Sequence, residues 1–201
     1  VFLAQAPVQS HVPHSPITDL IQGIYDRFGT EALRRVRRPI FSSYEPCEMD
    51  RAMISVAAKR WGGLVGPEAL DRINSVERIR RLTPEVLVKS WPRESPATEL
   101  GIPDFVTTAE EGLRVTLQIA LQSSRLFTGA RYELPRPVAA LLISARGKVL
   151  AFARNQNALN KTWHAECLLV QNWHAQHGAP IPAGARIFVS LKPCRMCAAL
   201  L

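Results

Sequence analysis

Two short groups of residues limit most strongly how this chain can fold: His164-Ala165-Glu166 and Pro193-Cys194-Arg195-Met196-Cys197. Cysteines three positions apart at a helix start lie on one face, so both sulfur atoms can reach a single ion. The positive end of that helix favours the thiolate form of cysteine, and Pro193 suits a helix start, where its missing N–H is not needed. A histidine at a second helix start would supply a third ligand. The fold must therefore bring two helix starts together.

Three protein ligands on Zn²⁺ leave a fourth position for water, which is typical of catalytic rather than structural sites. Zinc lowers the pKa of its bound water to about 7, and a neighbouring carboxylate can then take and pass on a proton. Glu166 is placed for that role, provided that His164 lies at the very first turn of its helix, because residues two apart otherwise point in different directions. We therefore predict Glu166 as the catalytic acid–base and three zinc ligands: His164, Cys194 and Cys197.

The combination of H-x-E with P-C-x-x-C resembles the zinc-dependent cytidine deaminase superfamily. The resemblance covers residues 108–201, and the His-Ala-Glu and Pro-Cys-x-Met-Cys forms are most similar to the branch of the tRNA adenosine deaminases and the guanine or cytosine deaminases. It implies hydrolytic removal of an exocyclic amine from a cytosine- or adenine-type base. It also implies that the amides of Ala165 and Cys194 contact substrate, and that an asparagine after the second strand binds base or sugar. Asn155 and Asn157 fit that last role by position.

Two residues next to these motifs allow a second interpretation. Cys167 stands three positions after His164, so it could close a structural site of three cysteines and one histidine, which would leave Glu166 idle. Alternatively, Cys167 is a small buried apolar residue of its helix. Trp163 either stacks on a substrate base or fills the core.

The second half of the chain follows an α-β-β-α-β-α pattern, which predicts a cytidine-deaminase-like α/β sandwich over residues 105–201. A helix begins at Thr108, two apolar strands over 138–144 and 148–153 meet at Arg146-Gly147, and a helix over 164–177 follows. A strand over 186–191 and a helix from Cys194 complete the pattern. The resembling fold normally continues beyond this point. We therefore expect a second polypeptide or a cleaved C-terminal fragment to complete it, or the chain to form a homo-oligomer.

Residues 1–104 are predicted to form an all-α accessory domain with a linker. Ser15-Pro16 is a helix start, and the apolar residues that follow recur at helical spacing as far as Gly29. Further helices are predicted over 46–61, from Pro67, and over 82–91. Prolines among polar residues mark the linker at 93–104.

The charge indicates which partners the protein favours, and the cysteine content indicates where in the cell it is found. The chain has 201 residues with 25 Lys and Arg against 17 Asp and Glu, a net charge of +8, which favours phosphate-rich partners. The run Arg34-Arg35-Val36-Arg37-Arg38, with Arg27 nearby, either contacts phosphates or is a solvated face. No apolar run reaches about 18 residues, which excludes a membrane span. The four unevenly spaced cysteines do not suit a disulfide scaffold, and thiolate ligands predict a cytoplasmic location.

The sequence therefore predicts a zinc-dependent hydrolytic deaminase that acts on a nucleobase-containing substrate, with RNA or single-stranded DNA favoured by the positive charge. Two other classes remain open: a non-catalytic, zinc-stabilised subunit of a deaminase complex, and a basic binding module in which zinc is structural.

Overall fold

A computed structural model of the chain describes residues 2–3, 12–66, 85–86, 100–123 and 136–201. The chain divides into two compact units. The first consists of Val1–Ser10 and His14–Ser90, and the second consists of His11–Pro13 and Trp91–Leu201. Within the described ranges, no helix has both the length and the apolar character needed to cross a membrane.

Part of the predicted N-terminal organisation lies outside the described residues. This applies to the helix from Pro67, to most of the linker over 93–104, and to the helix over 82–91 apart from Glu85–Val86, which form a short strand. The predicted division into residues 1–104 and 105–201 therefore stays a prediction.

Helix α1, Pro16–Phe28, begins at the predicted Ser-Pro sequence. The Ser15 hydroxyl accepts a hydrogen bond from the Thr18 N–H at 3.0 Å, and the Thr18 hydroxyl accepts one from the Ser15 N–H at 2.8 Å. These bonds satisfy N–H groups that have no partner within the helix. The helix ends at Gly29, and a short helix, α2 (Ala32–Val36), follows.

The first unit also contains two short pairs of parallel strands, so its described part is not all-α as predicted. Strand β2 (Ile40–Ser42) pairs with β3 (Trp61–Leu64), and β1 (Phe2–Leu3) pairs with β4 (Glu85–Val86). The described part of this unit is therefore mixed α/β.

Pairing between distant segments explains why the predicted helix over 46–61 is too long. Helix α3 (Glu48–Met53) continues as a π-helical turn, Ile54–Ala58, and stops at Lys59, whose φ of +68° is left-handed. The chain then extends into β3 because its backbone bonds to β2, a segment far earlier in the sequence. The spacing of apolar residues within one segment holds no information about such a partner.

A three-stranded sheet forms the centre of the second unit. The strand order is β6-β5-β7, and the central strand β5 (Ala139–Ile143) is antiparallel to both β6 (Val149–Arg154) and β7 (Arg186–Val189). Helices cover both faces of this sheet: α4 (Ala109–Ser123) and α5 (Ala165–His177).

Alternate residues of β5 face the two helices. One core cluster packs β5 against α4 and includes Ala139, Leu141, Ile143, Val115, Ile119 and Ala120. The other packs β5 against α5 and includes Ala140, Leu142, Leu168, Leu169 and Trp173. All five residues of β5 are buried, as an uninterrupted apolar run predicts for a strand covered on both faces.

Gly147, in the turn between β5 and β6, is a position that cannot hold a side chain. Its φ is +84°, and a Cβ there would lie 2.4 Å from the carbonyl oxygen of Val106. We expect Gly147→Ala to lower the free energy of unfolding by about 2–3 kcal/mol, because left-handed strain adds to contact with a fixed backbone atom. Denaturant unfolding of both proteins measures the difference.

Gly178→Ala is the matched control for that substitution. Gly178 has a φ of +61°, but no atom of the described residues lies within 4 Å of the added Cβ. Only the backbone strain applies, so we expect a loss of about 1 kcal/mol. Equal losses in the two variants would contradict the role of the Val106 carbonyl.

Candidate metal centre

The two outer strands bring both motif segments to the same edge of the sheet. The end of β6 pairs with Ala139 and the end of β7 pairs with Ala140, which are neighbours at the start of β5. Because β6 and β7 run in the same direction on either side of β5, their carboxyl ends lie at one edge. His164 follows β6 and Cys194 follows β7, so the topology places both segments there.

His164 and Cys194 are both helix N-caps. His164 precedes α5 with φ −73° and ψ 152°, and Cys194 precedes the short helix α6 (Arg195–Ala198) with φ −71° and ψ 170°. Cys197 follows within α6 and is buried. The histidine thus lies at the start of its helix, which is the condition that its spacing from Glu166 imposes.

The three predicted ligand atoms are equally distant from one another. Cys194 Sγ lies 3.5 Å from Cys197 Sγ, and each sulfur atom lies 3.5 Å from His164 Nδ1. Tetrahedral zinc, with bonds of about 2.3 Å to sulfur and about 2.1 Å to nitrogen, would hold such atoms about 3.6–3.8 Å apart. One imidazole and two thiolates are also ligands that zinc prefers. The cluster therefore fits a zinc ion held by three protein ligands.

Cys167 lies beside this cluster but is not part of it. Its buried Sγ is 3.8 Å from Cys197 Sγ. The group whose ligand atoms all lie within 4.8 Å of one another consists of His164, Cys194 and Cys197. The closed structural site would need Cys167 within reach of all three, and the observed geometry does not favour it.

The close packing of sulfur atoms disfavours their ionised forms. The contact with Cys197 and burial raise the pKa of Cys194 to about 12, against a lowering effect of His164. The pKa of Cys197 is also raised, chiefly by the contact with Cys167. The contact with Cys194 lowers this pKa, but burial and the nearby Glu166 carboxylate raise it further. A metal ion that binds here must displace these protons, so its affinity is expected to fall as the pH falls.

Glu166 is a buried carboxylate without a protein partner. The residue lies in the first turn of α5 and is 3% exposed. In the described part of the chain, its side chain has neither a hydrogen bond nor an ion pair. Burial of an unpaired carboxylate is costly unless a cation, water or ligand faces it. Its position near Cys197 therefore suits a site that binds further groups.

The predicted substrate-contacting residues lie at the start of α5 and in the loop before it. The Asn155 side chain donates hydrogen bonds from Nδ2 to the Arg136 carbonyl and to Asn157 Oδ1, both at 3.0 Å. Ala165 is the first residue of α5, where backbone N–H groups have no partner within the helix. Asn155 is thus held by protein atoms, and substrate contacts of these residues stay predictions.

Trp163 is packed into the core next to the candidate site. It is 8% exposed and belongs to the cluster that joins β5 to α5. Its indole Nε1 has no hydrogen-bond partner among the described residues. This packing agrees with the core-filling alternative, and stacking of Trp163 on a base stays a prediction.

Sequence reasoning missed the buried polar loop that holds His164 in place. Asn160 Oδ1 accepts hydrogen bonds from the N–H and the hydroxyl of Thr162, at 3.1 and 2.7 Å. The Trp163 N–H donates to the Asn160 carbonyl, and the Gln156 N–H donates to the Trp163 carbonyl, both at 2.8 Å. The run of amide side chains before His164 was the signal, because asparagine favours turns closed by its own side chain.

Comparison with known proteins supports a deaminase family for this part of the chain. Residues 129–201 match the family model of the Bd3614-like deaminases, and this segment contains the three candidate ligands and Glu166. None of the curated proteins and none of the solved structures compared with the chain matches it. The mixed α/β architecture of the second unit is consistent with a deaminase-like fold.

Proposed function

We propose that this protein is a zinc-dependent hydrolytic deaminase of a cytosine- or adenine-type base. The observation that carries the proposal is the buried, unpartnered Glu166 carboxylate near Cys197, one of three ligands suited to zinc. The match of residues 129–201 to a deaminase family supports the reaction class. The tRNA adenosine deaminase branch, and a base within RNA or single-stranded DNA, are the finer parts of this proposal.

The residues of the site divide the work between binding and proton transfer. His164, Cys194 and Cys197 would hold the zinc, which supplies a Lewis acid that makes water a better nucleophile. Glu166 would take one proton from water and deliver it to a ring nitrogen, and would then take the second proton from the added hydroxyl group and deliver it to the departing amine. Water thus replaces the exocyclic amine, and ammonia leaves. Glu166 is 3% exposed, which limits the number of water molecules that can reach its side chain.

The main alternative is a non-catalytic subunit in which zinc only stabilises the fold. A structural zinc site requires no carboxylate beside it, so this alternative gives no reason for burying Glu166 without a partner. We infer a cytoplasmic location, because thiolate ligands are favoured in compartments where disulfides do not form.

Ammonia release from a panel of substrates tests the proposal directly. We expect the zinc-loaded protein to release ammonia from one class among free bases, nucleosides, nucleotides and single-stranded oligonucleotides. Metal analysis of the same sample is expected to give about one zinc per chain. Zinc at that stoichiometry without ammonia from any class would contradict the deaminase and favour the non-catalytic subunit.

A further inference from the structure

The first unit brings two basic segments together at the starts of β2 and β3. Arg37 and Arg38 precede β2, and Lys59 and Arg60 precede β3. The strands are parallel with Ile40 opposite Trp61, and the Ile40 N–H bonds to the Arg60 carbonyl at 3.4 Å. Because paired strands lie about 4.8 Å apart, the two segments enter the sheet side by side. Arg34, one turn before Arg38, adds a fifth cation.

Among the described residues, no acidic side chain forms an ion pair with these five cations. All five residues are exposed. The sequence contains no acidic residue over positions 32–44 or over 51–67. Glu45, which follows the first range, pairs with Arg51, and Glu31, which precedes it, forms no ion pair within the described ranges. An ordinary solvated surface carries both signs of charge, whereas this one attracts anions.

One aromatic ring is exposed near these charges. Phe41 in β2 is 58% exposed, and its ring lies against Gly62, where an added Cβ would come within 2.7 Å of its Cε1 atom. Trp61 lies next to Gly62 and pairs with the buried Ile40, so it is on the other face of the strand pair, because consecutive residues of a strand point to opposite faces. We name Phe41 and the five cations the Phe41 surface.

We propose that the Phe41 surface binds single-stranded nucleic acid. Cations near an exposed aromatic ring suit a strand whose phosphates pair with the charges while an unstacked base lies on the ring. A duplex offers the same phosphates but keeps its bases stacked inside. An anionic membrane would use the charges without needing a flat ring supported on a strand. This inference goes beyond the proposed reaction, since binding is measured without turnover.

Fluorescence anisotropy of the full chain with labelled single-stranded RNA and DNA of about 12 nucleotides tests the proposal. We expect the logarithm of the association constant to fall with the logarithm of salt concentration with a slope of about −3, as for four or five phosphate contacts. A duplex of the same sequence and vesicles that contain phosphatidylserine are expected to bind at least about tenfold more weakly. Equal binding to either would overturn the proposal.

Two variants separate stacking from charge. Phe41→Ala is expected to weaken binding at least about fivefold at every salt concentration and to keep the slope, because a stacking contact carries no charge. Arg37→Ala is expected to weaken binding and reduce the slope by about 0.7.

Matched controls lie in the second unit. Phe105 is 56% exposed and Arg146 is exposed, so Phe105→Ala and Arg146→Ala should bind like the unaltered chain. The proposal is wrong if Phe41→Ala, shown by thermal unfolding to be folded, binds as tightly as the unaltered chain. Binding in a protein that releases no ammonia from any substrate would count against the deaminase and would support this surface.

Discussion

The Glu166→Gln variant is expected to release ammonia at least about a hundredfold more slowly while keeping its zinc. General acid–base residues contribute about 10²–10⁴-fold to catalysis, and glutamine preserves the shape of the side chain but cannot carry the proton. The substitution breaks no bond to the described residues, since the carboxylate has no partner there. Stability against thermal unfolding should therefore be preserved. Ammonia assays at saturating substrate, with metal analysis of the same sample, measure both effects.

Glu110→Gln is the control for the change in charge. Glu110 is also in the first turn of a helix, α4, but it is exposed and lies away from the ligand cluster. We expect its rate and zinc content to be unchanged. A Glu166→Gln variant that works at the full rate would show that the carboxylate does not transfer the proton, and one that loses its zinc would show that it has a structural role.

Replacing Cys197 with alanine is expected to lower zinc occupancy at least about tenfold, whereas replacing Cys167 with alanine is expected to preserve it. The two variants are well matched, because both cysteines are buried and their sulfur atoms lie 3.8 Å apart. Cys197 Sγ also lies 3.5 Å from both His164 Nδ1 and Cys194 Sγ, so its loss removes one of three ligands. Metal analysis after dialysis against a weak chelator measures the occupancy.

The Cys167→Ala result decides between the two kinds of site. If Cys167 is a buried apolar residue, alanine leaves a small cavity and lowers the free energy of unfolding by about 1 kcal/mol without loss of zinc. Loss of zinc from both variants would establish a closed site of three cysteines and one histidine. The deaminase proposal would then fail, because no ligand position would be left for water.

Local signals predicted the ends of several elements well. The Ser15-Pro16 start, the Gly29 end of α1 and the helix starts beside His164 and Cys194 agree with the structure. Each depends on hydrogen bonds and backbone angles within a few residues, which the local sequence specifies. The apolar run of β5 was equally informative, because a strand buried on both faces needs no alternation.

Contacts between distant residues were not predictable in the same way. Nothing near Trp61 indicates that it pairs with Ile40, and nothing near Phe41 shows that its ring lies on Gly62. The nearness of Cys167 to Cys197 depends on how α5 and α6 pack. Such contacts depend on strand register and helix packing, which short-range patterns do not encode.

By itself, the sequence predicted which atoms could bind zinc and which carboxylate could move a proton, because ligand chemistry and helix starts are properties of short segments. Only the tertiary structure decided that the imidazole and the two sulfur atoms meet 3.5 Å apart and that Glu166 is buried without a partner. The physical reason is the sheet: β6 and β7 run in the same direction beside β5, and their ends bring two segments together that lie far apart in the chain.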